Sequence, residues 1–221
     1  MIKINKLVRS KRKTLALIVE PDGQLTIRAP EQMKDADIWQ FVKKKEKWIE
    51  RKQAQTRKKI GLPREFINGG TFPYLGQEIP LLIVSGQKPA LVLDKCFKLK
   101  ATALEHAESV FEAWYKEQAF EVLTKRVSFY AMKHSFEVKK VRISSARTRW
   151  GSCSTRGTLS FTWRLVLAPL DVLDYVVVHE LCHLHELNHS EKFWARVEDI
   201  LPDYKVRRTW LKENGGRLKL M

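Results

Sequence analysis

The stretch HELCHLHELNH, from His179 to His189, holds four of the chain's six histidines and places a glutamate directly after the first of them. It follows the apolar run YVVV (175–178), and it is followed by Ser190, a residue type that commonly caps helices. This pattern predicts a helix from an N-cap at Asp171 through Leu187, and a second helix that begins after Ser190. The fold and the chemistry predicted for the chain both depend on this segment.

The first two histidines have the spacing of a metal-binding pair. His179 and His183 are four residues apart, so on a helix both imidazoles lie on one face, one turn from each other. Two imidazoles in that arrangement can coordinate one metal ion. Glu180 points about 100° round the helix and can lie beside the metal without being a ligand. There it can accept a proton from water bound to the metal, as in the H-E-x-x-H arrangement of zinc hydrolases.

A third ligand must come from the residues downstream, because a catalytic zinc usually takes three protein ligands and leaves one position for water. The nearest donors are His185, Glu186 and His189. His185 points away from the metal face if the helix continues, and we expect it at the surface or behind the ligands. A helix that ends at Asn188 in the left-handed conformation would reverse the chain and bring His189 back. The three predicted zinc ligands are His179, His183 and His189. Imidazoles without thiolates also suit Ni, Co or Mn.

Composition and cysteine content limit the classes of protein to which the chain can belong. With 221 residues, of which 44% are hydrophobic, the chain can bury a core without disulfides. The chain has three cysteines: Cys96, Cys153 and Cys182. Their odd number argues against a disulfide framework, and the absence of a C-x-x-C motif argues against a thiolate zinc site. No apolar run approaches the roughly 20 residues of a membrane helix, and no signal-peptide segment is apparent. We therefore expect a cytoplasmic protein with no membrane partner.

The charge of the chain is strongly and unevenly positive. The formal net charge is +16, and residues 1–60 hold 17 Lys and Arg against 7 Asp and Glu. Such a basic region predicts contact with nucleic acid or another polyanion. The alternative is a well-solvated surface that keeps the protein soluble, and charge alone does not separate the two.

The pattern of elements predicts an α+β fold in two parts. Residues 1–100 form a basic, β-rich N-terminal part, in which we expect a helix over about 35–56. Residues 101–221 form an α+β C-terminal part that begins with a long helix over about 101–134. The strand 158–168 directly precedes the metal helix, and it is expected to form the edge of a cleft where an extended peptide can pair.

Four further residues are predicted near the cleft. Arg149 can stabilise negative charge that develops on a substrate oxygen, although it can equally stack on Trp150 or pair with an acid. Tyr204 and Arg207 follow the metal helix closely enough to reach the site, and Tyr204 can equally belong to the core.

Three motifs together resemble a known family: RWGSCS (149–154), YVVVHELCHLHELNHSEKFW (175–194) and PDY (202–204). They resemble the YgjP-like metallopeptidase-domain family, which is related to the SprT-like and WLM groups of zincin proteases. The resemblance is close from about Arg149 to Leu211 and less specific in the β-rich N-terminal part. It implies a zincin-like fold over 101–221, with Glu180 as catalytic base and zinc held by His179, His183 and His189.

Three hypotheses for function follow. The first is a zinc-dependent metallohydrolase, a peptidase acting on polypeptides with water activated by zinc and Glu180. The second is a metal-dependent hydrolase of nucleotide phosphoanhydrides, against which stands the lack of a glycine-rich phosphate loop. The third is a non-enzymatic nucleic-acid-binding module with a structural metal, a site that would not require Glu180.

Overall fold

The structure is a computed structural model that describes residues 2–20, 23–59 and 64–219. It divides into two compact units, one within Met1–Leu62 and the other within Pro63–Lys219. This division differs from the boundary predicted near residue 100. The reason is that the strands of residues 71–100 pack in the same hydrophobic core as the elements after them.

The first unit consists of one sheet covered by two helices. The strands are β1 (Lys6–Ser10), β2 (Ala16–Val19) and β3 (Leu25–Pro30), and the helices are α1 (Asp35–Lys44) and α2 (Glu46–Lys59). The central strand β3 pairs in parallel with β1 and antiparallel with β2. Its alternate residues meet apolar residues of the helices in a small core: Leu25, Ile27, Ala29, Ile38, Val42 and Ile49. A single helix was predicted over 35–56, whereas the structure has two helices, divided at Lys45.

The second unit begins with a four-stranded sheet packed on the longest helix. The sheet has the order β4-β5-β7-β6. Its strands are β4 (Thr71–Tyr74), β5 (Gln77–Val84), β6 (Leu91–Leu93) and β7 (Phe97–Lys100), and α3 (Ala107–Lys133) follows. The ring of Phe111 in α3 lies 4.3 Å from that of Phe72 and 5.1 Å from that of Phe97. These aromatic contacts join residues on both sides of position 100 into one core.

A third sheet leads to the helix that carries the histidine motif. It comprises β8 (Lys140–Ser144), β9 (Gly151–Cys153) and β10 (Thr158–Thr162), in the order β8-β10-β9. The predicted strand 158–168 ends at Thr162, because the chain turns there into a buried 3-10 helix, Trp163–Leu167. The helix α4 (Leu170–Cys182) follows, and its apolar residues are buried on nearly all sides.

The last two helices complete the surroundings of α4. They are α5 (Glu191–Ile200) and α6 (Tyr204–Asn214), and α4 packs against both of them as well as against α3 and β9. In the described residues the fold is thus mixed, with three small sheets and six α-helices, which agrees with the predicted α+β class. No helix in the described part of the chain combines the length and apolar character that a membrane span requires.

Candidate metal centre

The motif helix is shorter than predicted, and its end determines where the second histidine lies. It closes at Cys182 rather than Leu187, and His183 forms its C-cap with helical dihedral angles. The N–H groups of Leu184 and His185 then bond back to Leu181 and Cys182, which tightens the last turn. His179 and His183 nevertheless remain one turn apart on the same side of α4.

The chain returns to α4 through a segment held by two side-chain hydrogen bonds. Asn188 Oδ1 accepts from the N–H of Ser190 at 3.1 Å, and Ser190 Oγ accepts from the N–H of Phe193 at 3.4 Å as the N-cap of α5. The expectation that Asn188 reverses the chain in the left-handed conformation is wrong, since its φ is not positive. These two bonds direct His189, which lies between Asn188 and the cap, towards the other histidines.

The three predicted ligand histidines meet in one cluster. Each offers a ring nitrogen, and these nitrogens all lie within 4.8 Å of one another. Nε2 of His189 and Nε2 of His179 are 3.1 Å apart. For tetrahedral zinc with Zn–N distances of about 2.0–2.1 Å, neighbouring ligand nitrogens are about 3.3 Å apart. The spacing of the cluster therefore suits a small divalent metal ion.

The protonation of the cluster also suits a metal. His183 Nδ1 lies 2.9 Å from the backbone oxygen of Glu186 and must donate to it, because a carbonyl only accepts, so that Nε2 carries the lone pair. Burial, together with the neighbouring His183 and His189, lowers the pKa of His179 to about 3. Nδ1 of His179 is buried and has no hydrogen-bond partner among the described residues. Neutral imidazoles are the form that binds metals.

Aromatic rings close the cluster on the side of α5. The ring of Phe193 lies 4.5 to 4.9 Å from all three imidazoles, and Trp194 stacks on His189 at 5.6 Å. Tyr175, one turn before His179, lies 5.9 Å from it. These rings restrict the orientations of the imidazoles, while His189 remains exposed to solvent.

Glu180 is buried beside the cluster, against the backbone of Gly151. A Cβ atom on Gly151 would lie only 2.5 Å from Oε1 of Glu180 and 2.6 Å from its Cγ, so glycine alone fits there. Burial raises the pKa of Glu180 to about 7, while the charge of Arg149 acts in the opposite direction. The carboxyl group is therefore held in a fixed place, where it can both take up and release a proton near neutral pH.

The strand at the edge of the site is β9, so the prediction that 158–168 forms this edge is wrong. The strand β10 lies in the middle of its sheet, paired on both sides, whereas β9 pairs only with β10 among the described strands. The carbonyl of Trp150 and the N–H of Ser154 both bond to β10. Because such bonding alternates along an antiparallel strand, Gly151 and Cys153 turn their N–H and C=O groups to the open side.

The other predicted residues fall in different places. Arg149 is exposed and close enough to Glu180 for its charge to act on it. Trp150 packs against the end of α6 at Gly215, and Tyr204 is buried with its ring 5.5 Å from Trp194.

Arg207 donates to Asp203 Oδ2 at 2.9 Å and to the carbonyl of Asp171 at 3.0 Å. Asp171 lies in the first turn of α4, after the N-cap Pro169, and not at the predicted N-cap position. Arg207 therefore binds the end of that helix that is remote from the histidines.

A cation beside the cluster is Arg208, which was not predicted from the sequence. Its guanidinium lies 4.5 Å from the centre of the Trp194 ring. Its charge lowers the pKa of His179 and of His189, after the larger effects of burial and neighbouring histidines. The available signal was its spacing, because Arg208 is one turn from Tyr204 and thus on the same face of α6. Arg207 points about 100° away from that face.

Comparison with known proteins identifies one family. The model of the family described as YgjP-like, metallopeptidase domain, matches residues 13–214. A similar solved structure is the crystal structure of the metallopeptidase zymogen of Pyrococcus abyssi abylysin, with 24% sequence identity and a TM-score of 0.32. That match covers 44% of this chain and 90% of the other. No curated protein matches the chain.

Proposed function

This chain belongs to the YgjP-like metallopeptidase-domain family, and from that premise we propose that it is a zinc-dependent peptidase with Glu180 as general base. One observation carries the proposal. Three histidine nitrogens lie within 4.8 Å of one another, and the helix that carries the first of these histidines, His179, also carries the buried carboxyl group of Glu180 next in sequence. A purely structural metal site would not need that carboxyl group.

His179, His183 and His189 would hold the metal, and zinc is the ion we propose because the donors are all imidazoles. When bound there, the ion supplies a Lewis acid that polarises a carbonyl group and lowers the pKa of water. The aromatic rings of Phe193 and Trp194 keep the three imidazoles oriented. Three protein ligands are also the number that leaves one position open for catalysis.

Glu180 carries the proton in the proposed reaction. Its carboxylate takes a proton from the attacking water and passes it to the leaving amine as the peptide bond breaks. The close approach of Gly151 leaves the side chain no room to move towards β9. Burial keeps bulk water from competing for the carboxylate.

The open edge of β9 supports a peptide as the substrate. Gly151 touches the side chain of Glu180, and it also turns its backbone N–H and C=O to the free side of the sheet. An extended peptide can pair with these groups as an added strand, which would carry its scissile bond past Glu180. Arg149 and Arg208 provide positive charge on two sides, where negative charge develops on the substrate oxygen.

The same pair of arginines favours a second candidate, hydrolysis of a nucleotide phosphoanhydride. Both side chains are exposed, and their charges act on Glu180 and on the histidines respectively. A polyphosphate would be attracted to such a site. The open strand edge has no part in this reaction, which is why we rank it second.

The variant Glu180→Gln tests the proposal, with Glu191→Gln, an exposed glutamate in the first turn of α5, as matched control. Each protein is incubated with denatured casein and with the nucleoside triphosphates, and its metal content is measured by plasma mass spectrometry. We expect wild type and Glu191→Gln to cleave casein. We expect Glu180→Gln to retain the metal and lose roughly 10²–10⁴-fold in rate. Unchanged cleavage by Glu180→Gln would refute the role of Glu180, and turnover of triphosphates alone would establish the second candidate.

A further inference from the structure

The first unit carries an exposed aromatic surface that its own fold does not use. A hollow of about 210 Å³ is lined by five residues: Leu15, Leu17, Phe41, Lys45 and Trp48. The rings of Phe41 and Trp48 are 36% and 38% exposed, although aromatic side chains of this size are usually buried. We call these five residues the Phe41–Trp48 surface.

Helix geometry separates this surface from the core of the unit. The core residues Ile38, Val42 and Ile49 face the sheet and are almost completely buried. Phe41 and Trp48 lie two turns apart on a neighbouring flank. The hydrogen bonds from Lys45 N to Phe41 O and from Ile49 N to Lys45 O continue the helical pattern between them. The two rings are therefore presented to solvent in a fixed relation.

Positive charge surrounds the two rings. Helical spacing places further cations on the flank of Phe41 and Trp48, one turn from one ring or the other: Lys44, Arg51 and Lys52. With Lys45 they make four cations, and none of them forms a salt bridge with a residue that the structure describes. Asp37, one turn before Phe41, is the acidic residue at the same spacing, so the surface combines stacking platforms with an excess of positive charge.

We propose that the Phe41–Trp48 surface binds single-stranded nucleic acid. Exposed rings within a basic surface suit unpaired bases, which stack on aromatic side chains while their phosphates meet lysine and arginine. A duplex hides the faces of its bases and offers only phosphates to this surface. A membrane-binding helix would present its apolar face to lipid, but here Ile38, Val42 and Ile49 are covered by the unit's own sheet.

Fluorescence anisotropy with the full-length chain tests this proposal. The probes are a labelled mixed-sequence single strand of about 20 nucleotides and the duplex of the same sequence, at salt concentrations of about 50 and about 200 mM. We expect the single strand to bind more tightly than the duplex, and its affinity to fall as salt rises.

Matched substitutions locate the binding. Phe41→Ala and Trp48→Ala should each weaken binding of the single strand by roughly tenfold, since each removes one stacking platform. Trp39→Ala is the control, because Trp39 is 50% exposed in α1, the helix of Phe41, but lines a different hollow with Ile2 and Lys43. Lys45→Glu should also weaken binding, whereas Lys43→Glu on the Trp39 side should do so much less.

Several results would overturn the proposal. These are no binding of the single strand, equal affinity for the duplex, equal losses in Trp39→Ala and Trp48→Ala, or binding to anionic phospholipid vesicles in place of oligonucleotides. Far-UV circular dichroism on each variant checks the fold. If one aromatic variant unfolds, the remaining one and the comparison of Lys45→Glu with Lys43→Glu still decide the outcome.

Discussion

The backbone of Gly151 lies so close to Glu180 that a Cβ atom there would stand 2.5 Å from Oε1 and 2.8 Å from Cδ. No real Cβ contact is that short, so any side chain at position 151 must displace the carboxyl group of Glu180. The edge strand β9 thereby positions a group that belongs to α4. This contact connects the strand that can hold a peptide with the group proposed to carry the proton.

The first prediction concerns this contact. Gly151→Ala should retain the metal but lose roughly 10²-fold in kcat, because a misplacement of about 1 Å has that effect on a catalytic group. Overpacking should also lower the free energy of unfolding by about 1–3 kcal/mol. Steady-state kinetics, metal analysis and urea unfolding measure the three quantities. The control is Ser152→Ala, whose side chain points to the opposite face of the strand. Wild-type kcat in Gly151→Ala would contradict the assigned role of the contact.

The second prediction concerns the third histidine. His189→Ala should lose the metal that wild type retains at about one ion per chain, since even residues behind a ligand contribute 10–100-fold to affinity and a ligand contributes more. The control is His185→Ala, an exposed histidine of the same segment that lies 5.2 Å from Phe136. Plasma mass spectrometry gives the metal content. Thermal unfolding with and without chelator should show a lower Tm for wild type and His185→Ala after removal of the metal, and no shift for His189→Ala. Equal metal in both variants would exclude His189 as a ligand.

The third prediction separates two neighbouring arginines. Arg208→Ala should lower kcat/KM by roughly tenfold with little change in stability, because its side chain is exposed and its charge acts on the histidines. Arg207→Ala should do the reverse. It should lower the free energy of unfolding by about 1–2 kcal/mol, because it removes the two hydrogen bonds that Arg207 donates to Asp203 and to the carbonyl of Asp171. Kinetics and denaturant titration of both variants measure the contrast. Identical effects of the two substitutions would show that their assigned positions are wrong.

The fourth prediction concerns the buried carboxylate that joins α3 to α4. Asp174 accepts two hydrogen bonds from Arg126, at 2.6 and 2.7 Å, and one from the hydroxyl group of Tyr130 at 3.2 Å. Asp174→Ala should lower the free energy of unfolding by about 2–3 kcal/mol, less than for a fully buried pair because Arg126 is partly exposed. Glu198→Ala, which breaks an exposed pair with Lys205, is the control and should leave the free energy of unfolding nearly unchanged. Equal losses in a urea titration would contradict this.

The helices could be predicted well from the sequence, because their signals are local. The helices predicted over about 101–134 and after Ser190 are observed at Ala107–Lys133 and Glu191–Ile200. Each has an apolar stripe and identifiable ends. The boundary between the two units was harder to predict from the sequence. The contacts of Phe111 with Phe72 and Phe97 join a helical segment to a β-rich one, although the change in sequence pattern near residue 100 suggested a boundary between them.

The sequence by itself determined the proximity of His179, His183 and Glu180, because residues within one turn of a helix are neighbours whatever surrounds the helix. It also indicated the return of His189, since the Ser190 cap acts over three residues. Only the tertiary structure decided that β9 forms the edge of the site, that Gly151 presses on Glu180, and that Arg208 faces the histidines while Arg207 does not. These relations depend on how separate elements pack, and packing is set by the whole core rather than by any short pattern of residues.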